Sequence, residues 1–334
     1  MTAPAQETSA EKVGQMSPAP FKMRRTILAI PTATLAAFAV HYFVSKNQPP
    51  AETKLYSIFL AVVFLSALLA AAVQLAWSLP RRWLDHICPI IAATVLSLGI
   101  WDLVTTGFHL LPLPYFPGPA AVLQSLINDR QLLLESAGNS LLLLLSGYAI
   151  GTVIALITGI CIGWFAEARY WGMPLLKVVG PIPATAWIPL AMVVAPSPRF
   201  SAIGLIALAV WFPVTMLTAS GISNTRASYL DVARTLGANR AYLILRVAIP
   251  AAMPSIFIGL FMGLGSSFLT LIVAETVGVK SGLGWYVSWA QGWAEYGKVY
   301  AALVIMAAFF STIMTILFKV RDRVLGWQKG VIKW

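Results

Sequence analysis

Two acidic residues lie inside long apolar stretches of this 334-residue chain, where an ionisable side chain is costly and marks a functional site by default. Asp102 lies near one end of its stretch beside Trp101, which favours a role as an anchor at the membrane interface. Glu275 ends another stretch just before a glycine-rich turn. Its carboxylate could border a solute path or accept a backbone N–H, and the sequence leaves both readings open.

Histidines and cysteines, the usual metal ligands and nucleophiles, are few and widely spaced. They are His41, His86, His109, Cys88 and Cys161. None of their spacings is typical of a metal site or a disulfide framework, and no nucleophile is paired with a base. The Gly-x-x-x-x-Gly-Lys-Ser/Thr phosphate loop does not occur in the sequence either. We therefore predict no catalytic residue, no metal site and no cofactor bound by this chain.

Uncharged polar side chains within apolar stretches are candidates to line a solute path. With Glu275, the predicted path residues are Asn139, Ser140, Thr185, Ser266, Ser267 and Thr270. Each hydroxyl or amide could equally bond a neighbouring helix. No acidic or basic side chain is expected at mid-depth in the core, which favours transient passage of a small anion past neutral donors over a deep binding site.

The most informative spacing lies in a polar segment, 228–250, between two apolar stretches. Asp231 begins a short helical pattern, where an acid suits the positive end of the helix dipole. Gly237 ends that pattern, as a C-terminal glycine does, and is expected to have a positive φ. A second short helix is predicted to run to Arg246, and Pro250 falls in the first turn of the next apolar stretch. The segment thus predicts two short helices around a glycine.

The composition indicates that these residues belong to a membrane protein. Hydrophobic residues make up 59% and charged residues 10%, with a mean hydropathy of +0.80, whereas soluble chains are about 45–50% apolar and about 25% charged. Eight stretches approach the roughly 20 residues that a membrane-crossing helix needs. They are 26–44, 55–79, 86–108, 138–164, 176–195, 201–222, 250–275 and 299–318. An all-α polytopic membrane protein is predicted.

The basic residues are distributed unequally between the two sides of such a protein. With the N-terminus inside, 17 of the 23 Lys and Arg residues fall on the cytoplasmic side and 6 outside. This asymmetry agrees with the positive-inside rule and predicts that both termini are cytoplasmic. It also accounts for the net charge of +11 without a nucleic-acid partner, so none is predicted.

The polar segment resembles the EAA loop of ABC importer permeases, whose pattern is Glu-Ala-Ala, three residues, Gly, nine residues, Ile, one residue and Leu-Pro. Every step of the spacing matches. The matching positions are Asp231, Ala233, Gly237, Val247, Ile249 and Pro250. The departures are Asp for Glu, Val for the middle Ala, Val for Ile and Ile for Leu. The resemblance implies that this loop couples to an ATPase subunit.

Three further segments resemble permeases of the nitrate/sulfonate/taurine type. Pro117-Gly-Pro-Ala-Ala-Val-Leu is similar to their proline-led outer helix, and Pro181-Ile-Pro-Ala-Thr-Ala-Trp-Ile-Pro-Leu to their Pro-Ile-Pro-x-x-Ala-Trp-Ile-Pro-Leu stretch. Ala274-Glu275, followed by glycines at 278, 282 and 284, is similar to the end of their fifth core helix. The resemblance covers about 81–325.

The resemblance implies a type I ABC importer transmembrane domain with a six-helix core and two extra N-terminal transmembrane helices. The expected organisation is a polar cytoplasmic tail at 1–25, a two-helix hairpin at 26–80, the permease core at 81–325 with its coupling loop at 225–249, and a cytoplasmic tail at 326–334. The appended hairpin departs from the six-helix pattern, and nothing in its sequence indicates a purpose.

The partners implied by the resemblance are two copies of an ABC ATPase subunit that binds Mg-ATP, a second copy of the permease, an external solute-binding protein and the bilayer of the inner membrane. The implied cargo is a small solute, such as nitrate, bicarbonate, a sulfonate or taurine. The alternative function is a gradient-driven secondary transporter or channel, which should carry charges at mid-depth or internal repeats. An intramembrane enzyme would need a His/Asp/Glu or Ser/Lys group at depth, which the sequence lacks.

Overall fold

The computed structural model describes residues 29–43, 53–76, 81–108 and 110–328, and every secondary-structure element in these ranges is helical. The predicted 1–25 tail and residues 329–334 of the C-terminal tail lie outside the described residues. Five helical segments are long and apolar enough to cross a membrane: Cys88–Gly107, Arg130–Trp164, Pro198–Ser223, Arg240–Val277 and Tyr296–Val324. Ala166–Val179 and Ala184–Val194, which meet at 84°, are long and apolar enough only together, and we call this pair the bent span. The described residues therefore have five spans, or six when the bent span is counted, and the predicted all-α architecture is confirmed.

The chain forms two compact units, of which the first comprises 1–112 together with 118–120. Its helices are α1 (Ala29–Phe43), α2 (Thr53–Ala76) and α3 (Arg81–Asp102), and α3 continues as a π-helical turn over Leu103–Gly107. Helix α1 packs against both α2 and α3. Two apolar helical stretches shorter than a full span, Ala29–Phe43 and Lys54–Leu69, correspond to the predicted N-terminal pair.

The second unit comprises 113–117 and 121–334. Its helices are α4 (Pro119–Asn128), α5 (Arg130–Trp164), α6 (Ala166–Val179), α7 (Ile188–Val194), α8 (Pro198–Ser223), α9 (Ala227–Thr235), α10 (Arg240–Tyr242), α11 (Ile249–Val277), α12 (Leu283–Gly292) and α13 (Tyr296–Val324). A 3₁₀ turn, Ala184–Trp187, precedes α7, and a π-helical turn, Leu243–Ala248, joins α10 to α11.

The centre of the second unit is α8, which packs between α5 and α11. Small residues allow this close packing: four glycines of α5 face α8, namely Gly147, Gly151, Gly159 and Gly163. A Cβ on the first would lie 2.6 Å from Ile206, and a Cβ on the last would lie 2.7 Å from Ile222. Contacts therefore advance in the same direction along both helices, so α5 and α8 run parallel.

Helix α11 runs antiparallel to α8, because its early residues contact the end of α8 and its later residues contact the middle. Gly221 of α8 lies against Ala252, whereas Gly263 of α11 lies against Val210. The three helices bury a shared apolar cluster that includes Leu144, Ile206 and Leu271. This packing holds the polar groups of α8 and α11 at defined positions.

The predicted second short helix of the 228–250 segment is wrong as a separate element. Residues Arg240–Val277 form one continuous helical span, which passes through the π-helical turn at Leu243–Ala248. The N–H of Ile249 bonds the carbonyl of Ile244, five residues earlier. Pro250 supplies no N–H and its ring crowds the preceding turn, and a wider turn relieves that crowding without ending the helix.

Candidate functional site

A cavity of about 370 Å³ lies in the second unit between the bent span, α8 and α11. The bend falls at Gly180-Pro181-Ile182-Pro183, where the two prolines cannot continue an α-helix. Gly180 lies directly against the ring of Phe212, so no side chain fits at this position. The bent span thus brings irregular backbone to the edge of a cavity, the setting in which such backbone is tolerated in membranes.

Three predicted path residues from two separate elements line this cavity. They are Thr185 of the 3₁₀ turn and Ser266 and Thr270 of α11. Ser266 is exposed, whereas Thr270 is buried and donates to the carbonyl of Ser266 at 2.9 Å. Every residue lining the cavity is uncharged. The wall can therefore offer hydroxyl groups to a solute but no fixed charge.

Two other predicted path residues are enclosed by the protein. Ser267 is fully buried and donates to the carbonyl of Leu264 at 2.8 Å. Ser140 is also fully buried, donates to Oε1 of Glu275 at 2.7 Å and accepts from the N–H of Leu283 at 2.9 Å. The hydrogen bonds of both hydroxyl groups are thus made within the protein.

Hydrogen bonds to the carboxylate of Glu275 join three helices at one end of the second unit. Its Oε1 accepts from Ser140 of α5, and its Oε2 accepts from the N–H of Gly284 in the first turn of α12 at 2.8 Å. Gly282 precedes α12 with φ +104°, and a Cβ there would collide with the Glu275 carboxylate. These contacts favour the structural reading of Glu275, in which its carboxylate accepts a backbone N–H.

A smaller cavity of about 180 Å³ is lined by Glu275 and by the predicted path residue Asn139. Arg199, near the start of α8, also lines this cavity, together with Ser146 and Ser281. Sequence reasoning placed Arg199 only in an outer loop, because nothing in its local sequence shows that the first turn of α8 lies beside α5. The predicted path residues are therefore divided between two cavities and the buried interior.

Beside this end, an ionic cluster holds α12 in place. The hydroxyl of Tyr286, which is fully buried, donates to Asp129 at 2.7 Å. Lys298 lies 3.3 Å from Asp129 and 2.8 Å from Glu295. Burial raises the pKa of Tyr286 well above its ordinary value, and the bond to Asp129 raises it further. The cluster therefore joins the α4–α5 corner, α12 and the start of α13.

The loop at the opposite ends of α8 and α11 contains the matched spacing. Helix α9 ends at Thr235 with Leu236 as its cap, and Gly237 follows with φ +83°, as expected. The N–H of Gly237 bonds the carbonyl of Arg234 at 2.9 Å, and the N–H of Ala238 bonds the carbonyl of Ala233 at 3.0 Å. This pair of bonds is the Schellman motif that ends many helices. The glycine therefore sets the direction in which the chain leaves α9.

The two halves of the matched spacing have different surroundings. In α9, Asp231 is exposed and forms an exposed ion pair with Arg234 at 3.0 Å, while Ala233 is half-buried. At the start of α11, Val247, Ile249 and Pro250 are half-buried beside Ala248, which is fully buried in a cluster with residues of α8 and α11. One half thus anchors the loop to the spans, and the other half is presented to the surroundings.

The presented half exposes large apolar side chains among polar ones such as Asp231 and Arg234. Tyr229, Val232 and Leu236 are exposed at spacings of three and four residues, and we call them the α9 strip. Leu236 is 82% exposed. Residues at this spacing share one face of a helix. A strip of large apolar side chains on a short helix is typical of a surface that another protein covers.

Known proteins share both the sequence and the fold of this chain. Residues 151–325 match the family of binding-protein-dependent transport system inner membrane components. A probable ABC transporter permease of Brucella abortus is 32% identical over 70% of this chain and 92% of its own length. A nitrate import permease of Synechococcus elongatus is 26% identical over 72% of this chain and 87% of its own length.

Among solved structures, a methionine ABC transporter in an inward-facing conformation superimposes with a TM-score of 0.50 at 16% identity, over 59% of this chain and 98% of that chain. This likeness concerns the fold alone. The family match and the 32% identical relative show that the chain belongs to the inner membrane components of binding-protein-dependent transport systems. It is a multi-pass ABC transporter permease.

Proposed function

We propose that this permease couples the passage of a small solute, in particular a small anion, to ATP hydrolysis on a separate ATPase subunit. The observation that carries the proposal is the α9 strip, whose three large apolar side chains are exposed where Gly237 ends the helix. A rigid helix end with an apolar face can bind in a groove on the surface of a second protein. The ATPase would bind Mg-ATP, and this chain would bind no cofactor of its own.

The anchoring half of the loop supports transmission of movement to the spans. Ala248 packs in one cluster with Ile222 of α8 and Ala252 and Ile256 of α11. Because α10 continues without a break into α11, a displacement of the loop displaces the helix that contains Ser266 and Thr270. ATPase movement at the α9 strip would therefore reach the wall of the larger cavity.

A pair of permeases around a two-fold axis is the assembly we propose, with one ATPase subunit on each copy. A cavity lined by residues of one chain can become a path shared by two when the same surface of a second copy faces it. The solute would come from an external binding protein, as the family description implies. The loop with the α9 strip and both termini would face the cytoplasm, and the excess of basic residues on that side supports this orientation.

The solute class we propose is a small anion such as nitrate, bicarbonate or a sulfonate, or the related zwitterion taurine. The larger cavity offers hydroxyl groups from Thr185 and Ser266 and no carboxylate that would repel an anion. One relative is named as a nitrate import permease. A gradient-driven transporter would instead be expected to place an ionisable side chain in its path, and the larger cavity has none.

The test compares two equally exposed aliphatic residues in the complex with the ATPase subunit. Leu236→Ala removes the most exposed member of the α9 strip, and Val193→Ala makes the same kind of change in α7, where Val193 is 84% exposed. We expect Leu236→Ala to reduce ATPase co-purification at least about tenfold, as for a residue central to an interface, and Val193→Ala to leave it unchanged.

ATP-dependent uptake of nitrate, bicarbonate and taurine into proteoliposomes with the binding protein is the second measurement. Uptake without ATP or ATPase would contradict the proposal and support the gradient-driven alternative.

A further inference from the structure

Unlike the larger cavity, whose wall is uncharged, the smaller cavity is lined by one basic and one acidic side chain. Its polar lining residues are Asn139 and Ser146 of α5, Arg199 of α8, Glu275 of α11 and Ser281 of the turn between α11 and α12. Because α5 and α8 run parallel, their early residues lie at the same end of the second unit. The cavity therefore collects polar groups from three elements at that end.

The negative charge of Glu275 is stabilised without Arg199. Its Oε1 accepts from the hydroxyl of Ser140 at 2.7 Å, and its Oε2 accepts from the N–H of Gly284 at 2.8 Å. Gly284 belongs to the first turn of α12, a helix of 10 residues. The N-terminal end of a helix carries a partial positive charge, which favours a carboxylate. The positive charge of Arg199 is therefore not needed to hold Glu275.

Three side chains of the cavity wall have hydrogen-bond donors that are not used within the described part of the chain. They are Asn139, Arg199 and Ser281. Among the same residues, Arg199 forms no ion pair. By contrast, the hydroxyl of Ser146 donates to the carbonyl of Leu142 at 2.7 Å. A guanidinium only donates, an amide has two N–H donors and a hydroxyl has one, so the wall is rich in donors.

We propose that the smaller cavity binds an oxyanion group through Arg199, Asn139 and Ser281. The guanidinium binds two oxygen atoms as a fork, and the amide and the hydroxyl donate to the remaining oxygen atoms. The carboxylate of Glu275 repels an anion and so keeps binding weak, which allows release from a transport site.

The oxyanion is a soluble one, such as nitrate or a sulfonate, or the phosphate of a lipid head group, since all present the same oxygen acceptors. For a transported solute the inference rests on the proposed function, because the proposed orientation makes this end of the unit external. The site is distinct from the larger cavity, whose lining residues it does not share.

The test measures how a bound oxyanion protects a cysteine in the cavity wall. Ser146→Cys is placed in the full chain, with Cys88→Ala and Cys161→Ala, in complex with the ATPase subunit. Ser146 is a suitable position because it lines the cavity but bonds its own helix. Labelling by an impermeant thiol reagent is timed in maltoside micelles, with sodium nitrate or sodium ethanesulfonate replacing sodium chloride at constant ionic strength.

The variants separate the guanidinium from its charge. Arg199→Gln removes both, and Arg199→Lys keeps the charge without the fork. Arg130→Gln is the matched control, because Arg130 is the exposed first residue of α5, lies at the same end of the unit and does not line the cavity. Labelling in phospholipid nanodiscs without added oxyanion tests the lipid phosphate as the ligand.

We expect nitrate and ethanesulfonate to slow the labelling of the parent and of Arg130→Gln to the same extent. Arg199→Gln should raise the half-protecting concentration at least about tenfold, as the loss of a hydrogen bond to a charged group predicts. Arg199→Lys should raise it less. Protection in nanodiscs that Arg199→Gln abolishes would support the proposal with a lipid phosphate as the ligand.

Equal labelling in chloride, nitrate and ethanesulfonate, with equal labelling of the parent and Arg199→Gln in nanodiscs, would overturn the proposal. Protection that persists unchanged in Arg199→Gln would overturn it too. ATP-driven nitrate uptake by the parent in proteoliposomes separates this result from that of the proposed function. Uptake without protection contradicts only the oxyanion site, whereas protection without ATP-driven uptake contradicts only the proposed function.

Discussion

Adjacent residues of α11 have different surroundings although they are alike in sequence. Ser266 is exposed at the wall of the larger cavity, whereas Ser267 is fully buried and bonds the carbonyl of Leu264. Successive residues of a helix point about 100° apart, so Ser266 can line the cavity while Ser267 points into the packed interior. The two serines therefore predict different consequences for the same substitution.

Ser266→Leu is expected to reduce solute uptake severalfold while leaving ATPase co-purification and thermal stability unchanged, because the larger side chain enters the cavity. Ser267→Leu is expected to destabilise the fold by about 1–3 kcal/mol, the usual cost of overpacking a filled interior. Uptake in proteoliposomes and thermal unfolding in detergent measure the two effects. Equal uptake by Ser266→Leu and the parent would show that Ser266 does not line the solute path and has only a packing role.

Glu275→Gln tests whether this acid fastens helices. A glutamine oxygen can still accept from Ser140, but its amide nitrogen cannot accept from the N–H of Gly284. We expect a loss of about 1–3 kcal/mol in the free energy of unfolding, the cost of leaving a buried donor unsatisfied. Glu167→Gln in the exposed first turn of α6 is the control, and unfolding in detergent is the measurement. Unchanged stability with reduced uptake would instead place Glu275 in the solute path.

At the scale of elements, the join between α9 and α11 determines what the loop can transmit. The Schellman bonds at Gly237 end α9 in a fixed direction, and the π-helical turn at Leu243–Ala248 carries the chain into α11 without a break. Nothing lies within 4 Å of a Cβ added at Gly237. A side chain at position 237 therefore meets no neighbouring atom. Any effect of a substitution there comes from backbone strain at the positive φ and not from a steric clash.

Gly237→Val is expected to abolish coupled transport, because a β-branched residue at φ +83° costs about 1–2 kcal/mol and redirects the loop. Gly237→Asn is the matched control, since asparagine tolerates this conformation. Asp231→Lys should also abolish transport, as it places a second positive charge beside Arg234. Co-purification with the ATPase and solute-stimulated ATP hydrolysis are the measurements, with membrane insertion as the reference. Equal coupling in the Val and Asn variants would show that the loop does not depend on this backbone conformation.

At the scale of the whole molecule, the two units have different relations to the known family. The matched region, 151–325, lies entirely within the second unit. The first unit combines the appended helices α1 and α2 with α3. The common architecture thus holds the larger cavity and the coupling loop, and the added helices are grouped with the core span that contains Asp102.

Orientation is the property of the whole molecule that follows from the basic residues. In a Cys88→Ala/Cys161→Ala background, a cysteine at exposed Lys280 should be labelled by an impermeant reagent from outside, and one at exposed Arg234 only after the membrane is opened. The 17-to-6 distribution of basic residues is the reason for this expectation. Labelling of position 234 in intact cells would show that the topology is the reverse of the one proposed. The α9 strip would then not face the side on which the ATPase acts.

The sequence alone determined the features that arise from neighbouring residues. The apolar stretches define the spans because hydrophobicity acts locally, and the spacing around Gly237 defined a glycine-ended helix because the bonds of a Schellman motif join residues three and five apart. Pro181 and Pro183 likewise marked the break in the fifth predicted span, since proline acts on its own turn.

Tertiary structure decided which polar groups meet. His41 and Asp102 are 61 residues apart, and Ser140 and Glu275 are 135 apart, so neither pair leaves a local signal in the sequence. Their pairing depends on how each helix is rotated about its axis and which helix lies beside it, and both follow from close packing of small residues between helices. The same rotation places Ser266 at a cavity and encloses Ser267, a distinction that one-dimensional spacing does not contain.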